Sequence, residues 1–232
     1  AMTGPAGDFT LNSPVSGNLE AVHLPQLQLQ AGQGSATGSL SVGFAEGVDW
    51  KVDLTLSELD PAYWLAELPG NLGGSLKSQG ALRDEQLQAE ASLDLAGRLR
   101  GQNTRLQLQA NGEGERWDLP VIDLRMGDNR VQGNGTWAQT LDGRLQFELG
   151  RLAQLWPGLR GRVNGEVTLA GTAAAPSAQL ELNGRNLAYQ DNRLRRLSVQ
   201  GQLSDGERGR LALDAERIRT GETDLGALRI NA

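Results

Sequence analysis

The chain has no cysteine among its 232 residues, a single histidine (His23) and only 4% aromatic residues. Without cysteine it is neither a disulfide scaffold nor a thiolate metal site. A lone histidine with no nucleophile motif beside it is a poor basis for acid–base catalysis, and His23 is expected to face solvent at a strand end. With so few aromatics, any core has to be filled by aliphatic side chains. Long apolar runs are missing too. Nothing approaches the ~18 residues that a membrane helix requires, and no secretory leader is visible. Basic charge is in deficit, 22 Lys and Arg against 28 Asp and Glu, for a net charge of −6. That balance argues against a nucleic-acid surface, which needs a basic stripe.

Catalytic motifs are absent as well. Gly112-Glu113-Gly114 and Gly133-Asn134-Gly135 are not followed by a helical pattern, so they are not phosphate loops. No metal-ligand spacing occurs. The carboxylates at Asp84-Glu85, Glu113, Glu115, Asp123 and Asp128 are placed in turns or on polar faces. The chain is therefore not expected to be an enzyme, and no cofactor or metal is expected.

What is present is one recurring word, a leucine, a polar or small residue and a second leucine. It reads Leu27-Gln28-Leu29, Leu54-Thr55-Leu56, Leu93-Asp94-Leu95, Leu106-Gln107-Leu108, Leu180-Glu181-Leu182 and Leu211-Ala212-Leu213. Alternation along a strand sends the leucines to one face and the polar groups to the other. Strand segments are expected near 19–30, 35–44, 48–57, 72–82, 86–96, 98–110, 115–126, 130–138, 143–150, 161–170, 178–189, 195–204, 208–217 and 223–231. They should run as a meander of neighbouring antiparallel strands.

Asn111-Gly112, Asn134-Gly135, Asp142-Gly143, Asn164-Gly165, Asn183-Gly184 and Asp205-Gly206 suit type I′ turns, although several sit within a strand pattern where a bulge fits equally well. Leu194 has the wrong parity for Leu197 and Val199, so a bulge or strand start is expected near Arg195. The arginines at 193, 195, 196, 208, 210, 217 and 219 read as a solvated outer face or strand edge, or as a rim that meets lipid phosphates.

A longer repeat underlies the short one. Val22-His23-Leu24-Pro25 matches Trp117-Asp118-Leu119-Pro120 at an offset of 95 residues. Leu68-Pro69-Gly70 resembles Trp156-Pro157-Gly158 at an offset of 88. Asp60–Leu68, with an N-cap Asp and Pro61 in the first helical position, and Arg151–Trp156 are the only helix candidates, with Trp64 and Trp156 expected over the edge of the leucine surface. Residues 1–4 read as a cloning remnant. Residues 5–232 read as a single repetitive segment of a longer protein, with approximate units 20–115 and 116–210.

Leaving about twenty large apolar side chains wet would forgo tens of kcal/mol, at roughly 1.5–3 each, against a net domain stability of ~5–15 kcal/mol. The face has to be covered by a second sheet, curled on itself, or filled by an apolar guest. A two-sheet sandwich is the main competing architecture. Long even strands, scarce aromatics and a repeat running to both ends of the chain favour an extended array instead.

These residues resemble the TamB family, named for the translocation and assembly module, within the AsmA-like, bridge-like lipid-transfer proteins. The resemblance rests on the Leu-x-Leu-x-Gly repeats, on the segments 155–161 and 165–176, and on Leu187-Ala188-Tyr189 before 197–201. It implies an all-β fold: an elongated, curled antiparallel sheet, a solenoid-like β-taco, with an apolar concave groove and one or two short helices. It further implies a periplasmic location in a Gram-negative cell, with the full-length protein anchored in the inner membrane. Phospholipid acyl chains would be the cargo, and assembly of outer-membrane and autotransporter proteins a linked role. An outer-membrane barrel of the Omp85 type (TamA-like) would be the partner, met through parts outside this chain, and membrane contact would come only through the missing termini. The lipid-facing wall is assigned to the alternating apolar positions Leu27, Leu29, Leu54, Leu56, Leu93, Leu95, Leu106, Leu108, Ile122, Leu124, Leu145, Phe147, Leu149, Val167, Leu169, Leu180, Leu182, Leu197, Val199, Leu211 and Leu213. Two other functions remain open: a chaperone-like scaffold for unfolded β-strands, and a structural sandwich of a surface protein.

Overall fold

The computed structural model describes residues 2–4 and 7–232, with side chains from Phe9 onward. Position 1 of the expected cloning remnant, and residues 5 and 6, lie outside the described residues. The chain is all-β and divides into two units, Ala1–Val121 and Ile122–Ala232. The first unit holds β1 (Met2–Gly4), β2 (Gly7–Asn12), β3 (Ser16–Gly17), β4 (Ala21–Ala31), β5 (Gly34–Gly43), β6 (Val48–Leu59), β7 (Gly70–Arg83), β8 (Gln86–Leu99) and β9 (Gln102–Glu113). Strand β10 (Arg116–Met126) carries the chain into the second unit. There follow β11 (Asn129–Trp137), β12 (Leu141–Leu149), β13 (Leu159–Gly171), β14 (Pro176–Tyr189), β15 (Asn192–Ser204), β16 (Arg208–Thr220) and β17 (Thr223–Asn231). Strands β4 to β17 fall on the fourteen expected segments, and the three short strands before them had no pattern to announce them.

Within each unit, consecutive strands pair antiparallel: β4 through β9 in the first, and β11 through β17 in the second. Neither run closes into a barrel. Tight loops join the strands. Asp84-Glu85 (φ 49° and 63°) and Arg100-Gly101 (φ 50° and 75°) both carry two left-handed residues, the type I′ signature whose twist matches that of the flanking strands.

Of the six Asn-Gly and Asp-Gly pairs, only Asp205-Gly206 is a turn. The other five lie inside strands, in extended backbone. Their glycines sit on the apolar face and their Asn or Asp on the other. Gly165, for example, stands between Phe147 and Leu182 on the neighbouring strands, where a Cβ would run into the Glu181 carbonyl oxygen. Glycine there leaves room for larger neighbours and does not bend the chain. Two indoles use the same space: Trp50 lies over Gly80 and Trp117 over Gly112.

Bulges keep the faces in step. Pro25 has no N–H to offer the sheet. The β4–β5 register shifts between Leu24 and Leu27, so these leucines, three apart, face the same way. A second irregularity crosses the far unit. The β13–β14 register shifts between Arg160 and Arg162, and Gly161 (φ 108°), Asn186 (φ 51°) and Arg217 (φ 55°) are left-handed. Arg195 stands between the last two, which accounts for the anomalous parity of Leu194: it pairs with Leu187, whose side chain returns to the face of Gly184.

Each helix candidate forms a single turn inside its expected segment. Pro61–Tyr63 is one 3-10 turn, capped by Asp60 Oδ1, which accepts from Ala62 N (3.0 Å) and Gly70 N (2.8 Å). Leu152–Leu155 is one α turn, α1. Gln154 ties it down, its Oε1 accepting from Asp128 N (2.8 Å) and from buried Asn129 Nδ2 (2.9 Å). No helix among the described residues is long and apolar enough to cross a membrane, which says nothing of a β-barrel.

Among the described residues no large side chain is completely shut off from solvent. The accessible surface is 14997 Å². A compact monomer of this mass would expose about 10,000 Å², and two separate globules of half the mass about 12,000 Å². A closed sandwich does not leave this much surface.

Gly74 (φ 154°) is one of three glycines in such a backbone state, and a Cβ there would run into the Asp94 carbonyl oxygen. Gly74→Ala is expected to lower the urea midpoint by an amount equivalent to ~1–3 kcal/mol. Gly143→Ala, whose Cβ would meet only ordinary 3.6 Å contacts, should stay close to wild type in the same titration.

Candidate functional site: the apolar strand face

Register decides which side chains share a face. In the first unit one row runs Leu11, Leu29, Ala36, Leu56, Gly74, Leu95, Leu106 across successive strands. The next runs Leu27, Gly38, Leu54, Leu76, Leu93, Leu108. In the second unit one row runs Val131, Phe147, Gly165, Leu182, Val199, Leu213, Ile230. Beside it lie Gly133, Leu145, Val167, Leu180, Gly201, Leu211 on one flank, and Leu149, Val163, Gly184, Leu197, Ala215, Leu228 on the other. Leu169 continues the face opposite Gly143 and Ala178. Ile122 and Leu124 flank Asp123, whose carboxylate bonds Arg130 on the polar side, so both point the other way.

Every residue assigned to the wall thus falls on the apolar face of its own unit. Leu27 and Leu95 are buried, Leu211 is exposed (41%), and the others are half-buried. The alternation missed Leu40, Val42, Val52, Leu76, Val131, Val163 and Leu203, which lie on the same face, in these rows or the ones beside them. None belongs to a Leu-x-Leu word; only their partners across the sheet reveal them. Trp64 is 62% exposed beside Tyr63, their rings edge to face at 5.1 Å.

The opposite face is polar and cross-linked. Lys77 meets Asp53 (3.2 Å), Arg105 meets Asp94 (3.1 Å), and Arg144 Nη2 donates to Glu166 Oε2 (2.6 Å), each pair bridging neighbouring strands. Glu166 titrates below the ordinary glutamate range because Arg144 and Gln146 donate to it. Asp123 is more enclosed. Desolvation pushes its pKa up, but forks from Arg130 and Arg125 and their charges outweigh that, and the net shift is downward. Glu113, Glu115 and the turn residues Asp84 and Glu85 are exposed. His23 lies on the polar face against Ser41 Oγ (3.1 Å). Among the described residues no three His, Asp or Glu side chains gather as metal ligands. Such a surface offers solvation of hydrocarbon on one side and charge on the other.

Arginines 193, 195, 196, 208, 210, 217 and 219 are all exposed. Arg196 is bridged to Glu216 (3.3 Å) and Arg208 to Asp205 (3.1 Å). Arg193 stands directly opposite Arg219 in the sheet.

A family model described as "TamB, N-terminal domain" matches residues 4–232. The chain belongs to this TamB family. A TamB relative, the translocation and assembly module subunit TamB of Haemophilus influenzae, is 26% identical over 221 residues, covering 94% of this chain and 17% of its own length. The chain therefore spans about a sixth of the length of that relative. No solved structure matches it.

Because the Asp123 carboxyl is held below the usual aspartate range, its contribution to stability is present above about pH 4 and is lost as pH falls through the lowered native value. Asp123→Asn should therefore lower the urea midpoint at pH 7, and the gap from wild type should narrow by pH 2.5. A constant gap across that range would contradict the assignment.

Proposed function

We propose that the chain is a periplasmic segment of a bridge-like lipid-transfer protein, in which the apolar face solvates phospholipid acyl chains while head groups stay at its margin. The observation that supports this reading is the set of apolar rows that cross the strands of each unit with most of their described side chains only half-buried. Each buried CH₂ contributes about 0.8 kcal/mol, so two long tails supply of order 20 kcal/mol. The row from Val131 to Ile230 crosses seven strands. At ~4.8 Å per strand step it spans about 29 Å, roughly twice the ~15 Å of one leaflet's hydrocarbon. These rows are aliphatic walls broken by glycine, and smooth walls of that kind favour no single register for a tail, so cargo can slide.

On this reading curling of the sheet makes the face a groove. The chain acts within the translocation and assembly module of a Gram-negative envelope. A TamA-like outer-membrane barrel and the inner membrane are met by other parts of the full protein, and the role in assembling outer-membrane and autotransporter proteins follows from lipid supply. No catalysis is involved. A chaperone-like reading draws on β17, every residue of which is exposed, with strand addition as the mode of holding a client.

Photo-crosslinking separates the two. A benzophenone side chain at Leu108 should capture phospholipid in cells, and one at Gln109, on the other face, should not. Protein adducts at Leu108 in place of lipid would favour the chaperone. Leu108→Asp should cut co-purifying phospholipid at least fivefold, while Gln109→Asp leaves it unchanged; equal effects would refute the parity.

A further inference from the structure

The polar face of the second unit carries a feature that an acyl-chain wall does not require. Arg162 of β13 and Arg185 of β14 are direct register partners, and Arg185 is in turn the partner of Arg196 on β15. Like charges set directly opposite on neighbouring strands destabilise a sheet. Arg196 is relieved by Glu216 at 3.3 Å. Arg162 and Arg185 have no ion-pair or hydrogen-bond partner among the described residues.

The pair is held in place by backbone that tolerates no alternative. The register shift between Arg160 and Arg162 is centred on left-handed Gly161, where a Cβ would come within 2.6 Å of the Asn186 carbonyl oxygen. Asn186 is itself left-handed (φ 51°), next to Arg185. Bulges of this kind re-aim side chains.

Both arginines line a concavity of about 910 Å³ that is also bordered by Arg125, Arg130, Asn164, Asn183, Leu149 and Val163. Asn164 and Asn183 are register partners in the adjacent row. Asp123 is shared by Arg125 and Arg130, Asp128 is taken by Arg151 at 3.3 Å, and Glu148 is the remaining acid. The lining thus carries four arginines against two carboxylates, Asp128 and Glu148, an excess of two positive charges in a chain whose net charge is −6.

We propose that this concavity is an anion site for a phosphate-bearing group, with Arg162 and Arg185 as its forked donors and the Asn164–Asn183 pair contacting the polar substituent. Two guanidinium forks match the several acceptor oxygens of a phosphate better than one carboxylate. Alternation sends Arg162 and Arg185 to the face opposite Val163 and Leu182; Leu149 and Val163 also border the concavity, and the charged donors on their own face act whether or not the apolar rows carry lipid. A phosphate ester could arrive on a lipid head group or on a soluble molecule.

The test uses the 232-residue chain with two probes: sn-glycerol 3-phosphate by calorimetry, and vesicles of phosphatidylcholine with or without phosphatidylglycerol by flotation. Binding of at least one probe is expected, and Arg162→Gln with Arg185→Gln should weaken it at least tenfold. Arg208→Gln with Arg210→Gln, an equal change of charge at the far end of β16, should change it less than twofold. Binding of glycerol phosphate identifies a soluble source; binding only of the phosphatidylglycerol vesicles identifies a lipid. The apo double variant should unfold at an equal or higher urea concentration than wild type, because opposed like charges have been removed. No binding of either probe, or equal loss in both variant pairs, overturns the proposal.

Discussion

One constraint governs this molecule: a strand has two sides, and here only one of them is apolar, with most of its described side chains left half-exposed. In a sandwich the two apolar faces bury each other. Here strands meet their sequence neighbours, and the leucines remain half wet. Stability therefore comes from contacts along each row, leucine beside leucine across one strand step, and from the hydrogen bonds between strands. Glycine is part of that packing. Where Gly38, Gly74, Gly165 or Gly201 enters a row, its neighbours on both sides are large, so the face stays level.

The polar face fixes the register. A slip of one residue would exchange the two faces of a strand. The pairs Lys77–Asp53, Arg105–Asp94 and Arg144–Glu166 bridge neighbouring strands only in the observed register. As exposed ion pairs each adds little to stability, and their value lies in discriminating against the slipped state. Arg162 and Arg185, opposed like Arg193 and Arg219, do not serve this purpose, and their place in a concavity with two further arginines is what the proposed anion site rests on.

Much of this was legible in the sequence because the period of two is strict. Leu93-Asp94-Leu95 and Leu180-Glu181-Leu182 give strand, face and neighbour at once. The meander and its fourteen main strands follow from such words together with the absence of anything to cover them. Turn chemistry was less legible. Asn164-Gly165 and Asp84-Glu85 exchange the roles their residue types suggest: the first is straight strand, because glycine is needed opposite Phe147 and Leu182, and the second is the tight turn. Asp60 was readable as a cap, yet the turn it opens stops after three residues. The Arg162–Arg185 pair lies 23 positions apart in the chain, and only the pairing of β13 with β14, with its shift at Gly161, brings the two together.

Strands that touch their sequence neighbours and little else make each unit behave as a one-dimensional array. Cooperativity then decays with distance along the row, and no central nucleus exists whose loss would bring down the whole. Marginal strands such as β17 can peel away and re-anneal while the middle stays paired. An array built this way can loosen locally and re-form, without the molecule ever passing through a globally unfolded state.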